Sequence, residues 1–75
     1  MLQPWKVVRT DAELRMPRVD AQLRAAGALL VQLPDGVSED VLVREVADAD
    51  LLLMCYSRIT ARVIDQARRL KAIIK

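Results

Sequence analysis

Residues 48–56 read DADLLLMCY, and this stretch decides the fold. The run from Leu51 to Cys55 or Tyr56 is apolar at successive positions, so both sides of the predicted strand need to be covered. Strands of this kind are typical of parallel sheets that carry helices on both faces. The aspartates at positions 48 and 50 are typical of a helix end and a turn, and we do not interpret them as a catalytic pair.

The segments around this strand alternate between helix and strand patterns. Ser38 predicts the cap of a helix that runs towards Ala49, and Thr60 predicts the cap of a helix that runs towards Leu70. Nearer the amino terminus, the sequence predicts a helix from Pro17 to Ala26, closed by Gly27 in a left-handed conformation. Three further apolar runs predict strands: Trp5 to Arg9, ALLVQLP at 28–34, and KAIIK at 71–75.

The resulting order, β-α-β-α-β-α-β, predicts an α/β protein with a parallel sheet between two layers of helices. A flavodoxin-like three-layer α/β/α fold with strand order 2-1-3-4 and right-handed crossovers is the preferred topology. In that order, the strand at Ala72 to Ile74 lies on an open edge, where apolar side chains invite association. We therefore expect an incomplete sheet, and residues 1–75 to be the first part of a longer protein.

Composition limits the class of protein. A chain of 75 residues makes one small domain, and such a domain buries only about 60% of the surface that its unfolded form exposes. Its single cysteine forms no internal disulfide and favours a cytoplasmic location. The absence of histidine excludes the usual zinc sites. No apolar stretch approaches the roughly 18 residues of a membrane span, so no membrane partner is predicted.

Charge is unevenly distributed along the chain. Residues 51–75 carry six Lys or Arg and one Asp, although the net charge of the whole chain is only +2. A basic half suggests nucleic acid, but these side chains surround one predicted helix and are typical of a solvated face. Trp5 and Tyr56, the only aromatic residues, provide no stacking platform for single strands. We predict no nucleic-acid partner.

Ligands of open parallel sheets bind beyond the carboxyl ends of the strands, so the loops there are the candidate binding regions. The only glycines, Gly27 and Gly36, do not form a dinucleotide-binding pattern. The loop RTDAELR, at 9–15, lacks the Ser, Thr and Gly of a flavin phosphate loop. A phospho-accepting receiver domain requires an aspartate after the third strand; Asp11 could serve as one of its metal-binding acids, but the acceptor position holds no aspartate.

Individual side chains near the third strand allow alternative interpretations. Cys55 is the only candidate nucleophile, but no histidine is present to activate it, which favours a buried structural thiol. Tyr56 and Ser57 are either ligand contacts or loop residues that satisfy local backbone groups. Met54 is more typical of core packing. The chain therefore carries no complete catalytic set and no metal site.

From Leu33 onwards, LPDGVSEDVLVREVADADLLLMCYSRITARVIDQARRLKAIIK resembles the amino-terminal part of the D-isomer-specific 2-hydroxyacid dehydrogenases. The resemblance rests on ADADLLL at the start of the third strand, a helix of the form T-x-x-V-I-x-x-A, and LKAII as the following strand. It covers almost the whole chain, more weakly before Leu33. It depends on the order and spacing of these features together.

The resemblance implies a substrate-binding domain of flavodoxin-like fold, split in sequence by an inserted Rossmann domain that binds NAD or NADP. Members of the family transfer a hydride between the nicotinamide and a small 2-keto or D-2-hydroxy acid. Their catalytic Arg, Glu and His and their glycine fingerprint lie in the coenzyme domain and have no counterpart in residues 1–75. The implied partners are the acid substrate, the rest of the same polypeptide, and a second copy in a homodimer.

By matching position, the family's substrate contact maps to Met54, Cys55, Tyr56 and Ser57. Some members carry Arg and Ser in this loop to hold an acidic substrate, whereas Cys55 and Tyr56 stand here, with Arg58 slightly later. This departure favours a smaller or less charged acid over a phosphorylated one. The alternative hypothesis is a stand-alone, receiver-like interaction module that binds a protein through the open edge of the fourth strand.

Overall fold

The computed structural model describes residues 4–11, 17–54 and 58–74. Strands and helices alternate along these residues in the predicted order. Their bounds are β1 Lys6–Arg9, α1 Pro17–Ala25, β2 Leu29–Gln32, α2 Glu39–Val46, β3 Leu51–Leu53, α3 Ala61–Gln66 and β4 Ala72–Ile74.

The four strands form one parallel sheet in the order β2-β1-β3-β4. Val8 of β1 lies in register with Val31 of β2 and Leu52 of β3, and Leu52 lies in register with Ile73 of β4. The predicted α/β class and the 2-1-3-4 order are confirmed. Because β1 and β3 are the inner strands, the chain crosses from one half of the sheet to the other after β2.

The main hydrophobic core lies on the sheet face that α2 and α3 cover. Val8 and Leu52 are fully buried there, against the buried side chains of both helices. The members of this core are Val8, Leu33, Leu42, Val46, Ala49, Leu52, Val63 and Ala67. The two helices therefore hold the inner strands together from one side.

The opposite face of the sheet contacts α1. Successive side chains of a strand point to opposite faces, so Val7 and Arg9 of β1 point away from the main core. They line clefts together with residues of α1. The helix contributes no buried residue of its own. The predicted three layers are thus present in the described residues, but the α1 layer packs less closely than the other.

Three predicted helix boundaries are confirmed by their hydrogen bonds and backbone angles. The Ser38 hydroxyl accepts a hydrogen bond from the backbone N–H of Val41 at 3.3 Å. The Thr60 hydroxyl accepts from the backbone N–H of Val63 at 3.4 Å. Gly27 follows α1 with a φ of +88°. Ser38 and Thr60 mark the points where the chain enters α2 and α3, and Gly27 marks the turn from α1 towards β2.

The third helix ends earlier than the sequence predicts. The apolar spacing predicted a helix towards Leu70, but α3 ends at Gln66, and Ile64 is 49% exposed. Ala67 leaves the helical conformation with a ψ of 71°. This turn lets the backbone N–H of Lys71 reach the carbonyl oxygen of Asp50 at 2.8 Å, which aligns β4 with β3. The requirement for sheet pairing overrides the helical pattern.

The described residues place β4 at one edge of the sheet, as predicted. All three of its residues are exposed, including Ile73 at 42% and Ile74 at 52%. Unpaired backbone groups and exposed apolar side chains make such an edge prone to association.

Asp50 joins the amino-terminal ends of three strands. Its carboxylate accepts from the backbone N–H of Lys6 at 2.8 Å, and its own N–H donates to the Lys6 carbonyl oxygen at 2.8 Å. Lys71 lies 3.3 Å from the same carboxylate. The sequence predicted a turn residue here, and the structure gives it a buried linking role as well.

We expect Gly27→Ala to lower the free energy of unfolding by about 1 kcal/mol, because an L-residue is strained at positive φ. No atom lies within 4 Å of the position that the new Cβ would take, so the cost is conformational and not steric. Urea unfolding measures it. D-alanine introduced at the same position by chemical synthesis is the matched control: it adds the same methyl group without the strain. Equal destabilisation by both residues would contradict the explanation.

Candidate functional site

The crevice between the carboxyl ends of β1 and β3 is the candidate site. The chain runs outward from these two strands in opposite directions, to β2 on one side and β4 on the other. Such a switch point leaves room for a ligand beyond the strand ends. The described residues at this end are Arg9 as the last residue of β1, Thr10 and Asp11 directly after it, and Met54 after β3.

Met54 is the one residue of the predicted substrate contact that the structure describes. It is half-buried, and its backbone N–H donates to the carbonyl oxygen of Ile74 at 2.9 Å, which extends the β3–β4 pairing. Met54 therefore lies at the carboxyl end of the sheet, as predicted. Cys55, Tyr56 and Ser57 lie outside the described residues, and their role as substrate contacts stays a prediction.

Thr10 and Asp11 form a buried polar pair at the end of β1. Their exposed fractions are 1% and 5%, and the Thr10 hydroxyl donates to the Asp11 carboxylate at 2.7 Å. The Thr10 N–H donates to the carbonyl oxygen of Leu53 at 3.0 Å, which ties the pair to β3. Asp11 has a φ of +58°, a region that aspartate tolerates better than most residues. Non-glycine residues held in this region often occur at functional sites.

The side chain of Arg9, at the end of β1, is held by an ion pair with α1 and by a hydrogen bond to a side-chain amide of β2. Arg9 is 5% exposed, and its guanidinium lies 2.5 Å from the carboxylate of Asp20 on α1. Its Nε donates to the side-chain oxygen of Gln32 on β2 at 2.7 Å. The bond from Arg9 holds the pKa of Asp20 below its usual value, and the charge of Arg24 contributes further. These contacts fix β1, β2 and α1 relative to one another.

Gln32 also fixes the backbone at this edge. Its side-chain N–H groups donate to the carbonyl oxygens of Leu33 at 3.0 Å, Arg9 at 3.2 Å and Thr10 at 3.4 Å. One amide thus links the ends of β1 and β2. Thr10 and Asp11 directly follow Arg9 in the chain. Because Gln32 and Asp20 hold Arg9, they help to position the Thr10–Asp11 pair without belonging to the crevice.

Sequence reasoning did not foresee these contacts. It considered the loop at 9–15 and weighed Asp11 as a metal-binding acid of a receiver domain, and it left Arg9 and Gln32 within strand patterns. A weak signal was available: Arg9 is the last residue of a strand run that also contains Lys6, and Gln32 interrupts the apolar run at 28–34. A polar side chain that becomes buried requires partners. The identity of the partner was not available, because Gln32 lies 23 residues from Arg9 in the chain.

The described part of the site is suited to positioning the chain at the end of β1. Its carboxylate and hydroxyl are buried and bonded to each other. No cluster of three or more His, Cys, Asp or Glu side chains that could hold a metal is found within residues 4–11, 17–54 and 58–74. Within the same residues, no helix has the length and apolar character needed to cross a bilayer.

Comparison with known proteins identifies a fold. No family model matches the sequence, and no curated protein matches it. Among solved structures, the chain is similar to an NAD+-bound 3-phosphoglycerate dehydrogenase from Entamoeba histolytica, with a TM-score of 0.73 and 18% sequence identity. The similarity covers 95% of this chain and 25% of that one. The chain thus spans about a quarter of the length of that dehydrogenase, and at this identity the likeness establishes the fold alone.

Proposed function

We propose that residues 1–75 are the amino-terminal segment of the substrate-binding domain of an NAD(P)-dependent D-2-hydroxyacid dehydrogenase. The observation that carries this proposal is the match of nearly the whole chain to part of a 3-phosphoglycerate dehydrogenase. The parent protein is then an oxidoreductase that acts on a 2-keto or D-2-hydroxy acid. These residues provide one wall of its substrate cleft.

The coenzyme belongs elsewhere in the proposed enzyme. Gly27 and Gly36 are the only glycines of the chain, and each lies in a turn that precedes or follows β2. Neither forms the glycine-rich connection between a strand and a helix that lets a pyrophosphate approach the backbone. These residues therefore do not fit a nicotinamide dinucleotide, and the proposal assigns NAD or NADP to a separate domain. In this proposal the enzyme is a homodimer formed mainly through the coenzyme domain. The proposed location is the cytoplasm.

The carboxyl edge of the sheet supports the assignment of the substrate wall. Met54 lies at the carboxyl end of β3, beside the switch-point crevice. Residues 55–57 are the next three residues of the sequence. The Tyr56 and Ser57 hydroxyls can donate hydrogen bonds to a carboxylate or a keto oxygen.

The residues of the loop after β3 favour a singly charged acid. Cys55 and Tyr56 stand where some members of the resembled family carry Arg and Ser to hold an acidic substrate, and Arg58 comes slightly later. A phosphate group carries more negative charge than a carboxylate and depends more on such a positive partner. The proposed substrate is therefore a small, unphosphorylated acid.

A second candidate function is a protein-interaction module without catalysis. The exposed apolar edge of β4, with Ile73 and Ile74 about half exposed, favours it. In that case the edge strand would bind a strand of a partner by main-chain hydrogen bonds.

The test is the native polypeptide that contains this sequence, isolated from its source and assayed for oxidation of NADH and NADPH with glyoxylate, pyruvate and phosphohydroxypyruvate. We expect turnover of an unphosphorylated acid. Tyr56→Phe and Ser57→Ala should each raise KM about fivefold or more, since each removes one hydrogen bond to a charged group. Arg68→Ala, exposed beyond α3, is the matched control and should leave KM unchanged. A native product that oxidises neither coenzyme overturns the dehydrogenase assignment in favour of the interaction module.

A further inference from the structure

The open edge of β4 exposes apolar side chains on both faces of the sheet. β4 pairs with β3 on one side, and the described residues place no strand on its other side. Ile73 lies in register with Leu52 and so belongs to the main core face, whereas Ile74 points to the α1 face. The two isoleucines are 42% and 52% exposed. A segment that covers this edge therefore needs apolar side chains on both of its own faces.

The backbone of β4 offers hydrogen-bonding groups at the same edge. The Met54 N–H donates to the carbonyl oxygen of Ile74 at 2.9 Å, so the backbone of Ile74 is turned towards β3. The N–H and carbonyl groups of Ile73 are turned the other way, as the backbone groups at the free side of an edge strand are. An extended segment can bind such groups as an additional strand.

The segment that leads into β4 is basic. Residues 66–74 include three basic side chains and no acidic one. Arg69 and Lys71 are 50% and 55% exposed, and both face the carboxylate of Asp50, which is 4% exposed. The charge of Arg69 also acts on Asp48, but that carboxylate pairs with a lysine of β1 at 2.6 Å. Positive charge therefore remains in excess beside the edge of β4.

A second copy of this chain fits the edge poorly. Two β4 strands paired side by side would bring residues 66–74 of both copies to one interface. In either orientation this segment contributes only basic charged side chains, and like charges repel one another. The charges instead favour a partner with carboxylates, because complementary charges guide association and disfavour other partners.

We propose that the edge of β4 binds an extended acidic segment of a partner protein as an additional strand. Its backbone pairs with Ile73, and its apolar side chains contact Ile73 and Ile74. Carboxylates beside this apolar stretch face Arg69 and Lys71. The proposal rests on the second candidate function, the interaction module, and adds to it the chemistry of the partner.

The test is a titration of the isotopically labelled 75-residue chain with short synthetic peptides, followed by the NMR signals of its backbone amides. The probe peptide has a Val-Ile-Val stretch between two pairs of glutamates, and two control peptides carry glutamines or lysines in their place. We expect saturable shifts of the Ile73 and Ile74 amides with the glutamate peptide. The glutamine peptide should bind about fivefold more weakly or less, since it lacks the ion pairs. The lysine peptide should cause no saturable shift.

The outcomes separate the acidic partner from the interaction module itself. Equal affinity of the glutamate and glutamine peptides overturns the acidic partner and leaves the edge as a strand-binding surface. The absence of saturable binding by all three peptides overturns both. Dimerisation of the chain without peptide, with shifts at Ile73 and Ile74, assigns the edge to a second copy and likewise overturns the proposal.

Two variants test the role of charge at the edge. Arg69→Gln should weaken binding of the glutamate peptide about threefold, because it removes one exposed ion pair, and should leave binding of the glutamine peptide unchanged. Arg18→Gln is the matched control, since Arg18 is exposed on α1, which packs on β2 at the other end of the sheet. Equal affinity of the two variants for the glutamate peptide would overturn the role of Arg69. The backbone amide spectrum of each variant reports whether its fold is retained.

Discussion

Replacement of Leu52 by alanine should lower the free energy of unfolding by about 2–5 kcal/mol, the range found for large-to-small substitutions in well-packed cores. Leu52 is fully buried at the centre of β3, in register with Val8 and Ile73. It belongs to the main core, which both α2 and α3 cover. A small domain has total stability of similar size, so the variant should be largely unfolded under mild denaturing conditions.

Urea unfolding followed by circular dichroism measures the effect. Leu29→Ala is the matched control, because Leu29 is the same residue type in β2 but is 54% exposed. The control should change stability by less than about 0.5 kcal/mol, as surface substitutions usually do. If both variants lost the same stability, the assignment of the core to the face covered by α2 and α3 would be wrong.

The fold could be predicted because its local signals agree with its long-range pairing. Ser38, Thr60 and Gly27 mark three boundaries through interactions within a few residues, which a sequence displays directly. The apolar run at β3 required cover on both faces, and that requirement selected a parallel sheet. The preference for right-handed crossovers limited the possible arrangements. The 2-1-3-4 order was then preferred as the flavodoxin-like topology, because the pattern alone does not prove a strand order.

The end of α3 could not be predicted, because there the local pattern and the long-range pairing disagree. The spacing of Val63, Ala67 and Leu70 is helical, and no glycine or proline interrupts it. The helix stops because Lys71 must pair with Asp50, which lies 21 residues away in the chain. Local patterns contain no information about such a contact.

The candidate site was predicted only in part. The expectation that ligands bind beyond the strand ends selected the loop that begins at Thr10, and the family resemblance selected Met54. The structure shows Met54 at the carboxyl end of the sheet, and its contact with a substrate stays a prediction. It could not identify the Arg9–Asp20–Gln32 network, since three separate elements supply one residue each. Buried polar networks depend on geometry that arises only after the chain has folded.

Asp50→Asn should lower Tm at neutral pH by roughly 5–10 °C, a shift estimated from the size of this domain and the loss of charged hydrogen bonds. The side chain is 4% exposed and joins β1 and β4 at one end of the sheet. Asparagine keeps the shape and one acceptor oxygen. It loses the negative charge that faces Lys71 at 3.3 Å and Arg69 at 3.9 Å.

The same carboxylate should make stability depend on pH. The N–H of Lys6 is the largest cause that holds the pKa of Asp50 below its ordinary value of 3.8, and Lys71 and Arg69 add to it, while burial opposes them. A depressed pKa in the folded state means that the unfolded chain takes up the proton first as pH falls. The stabilisation is therefore complete above the ordinary pKa and is lost as pH falls from about 4 through the folded pKa.

Thermal unfolding followed at a series of pH values from neutral to acid tests this assignment. The unaltered chain should lose Tm steeply on acidification, and the Asp50→Asn curve should start lower and fall less, so that the two converge at the acid end. Asp65→Asn, exposed on α3, controls for the loss of one negative charge and should run parallel to the unaltered chain. A constant difference in Tm across the whole pH range would mean that Asp50 acts through its shape and hydrogen bonds and not through its charge.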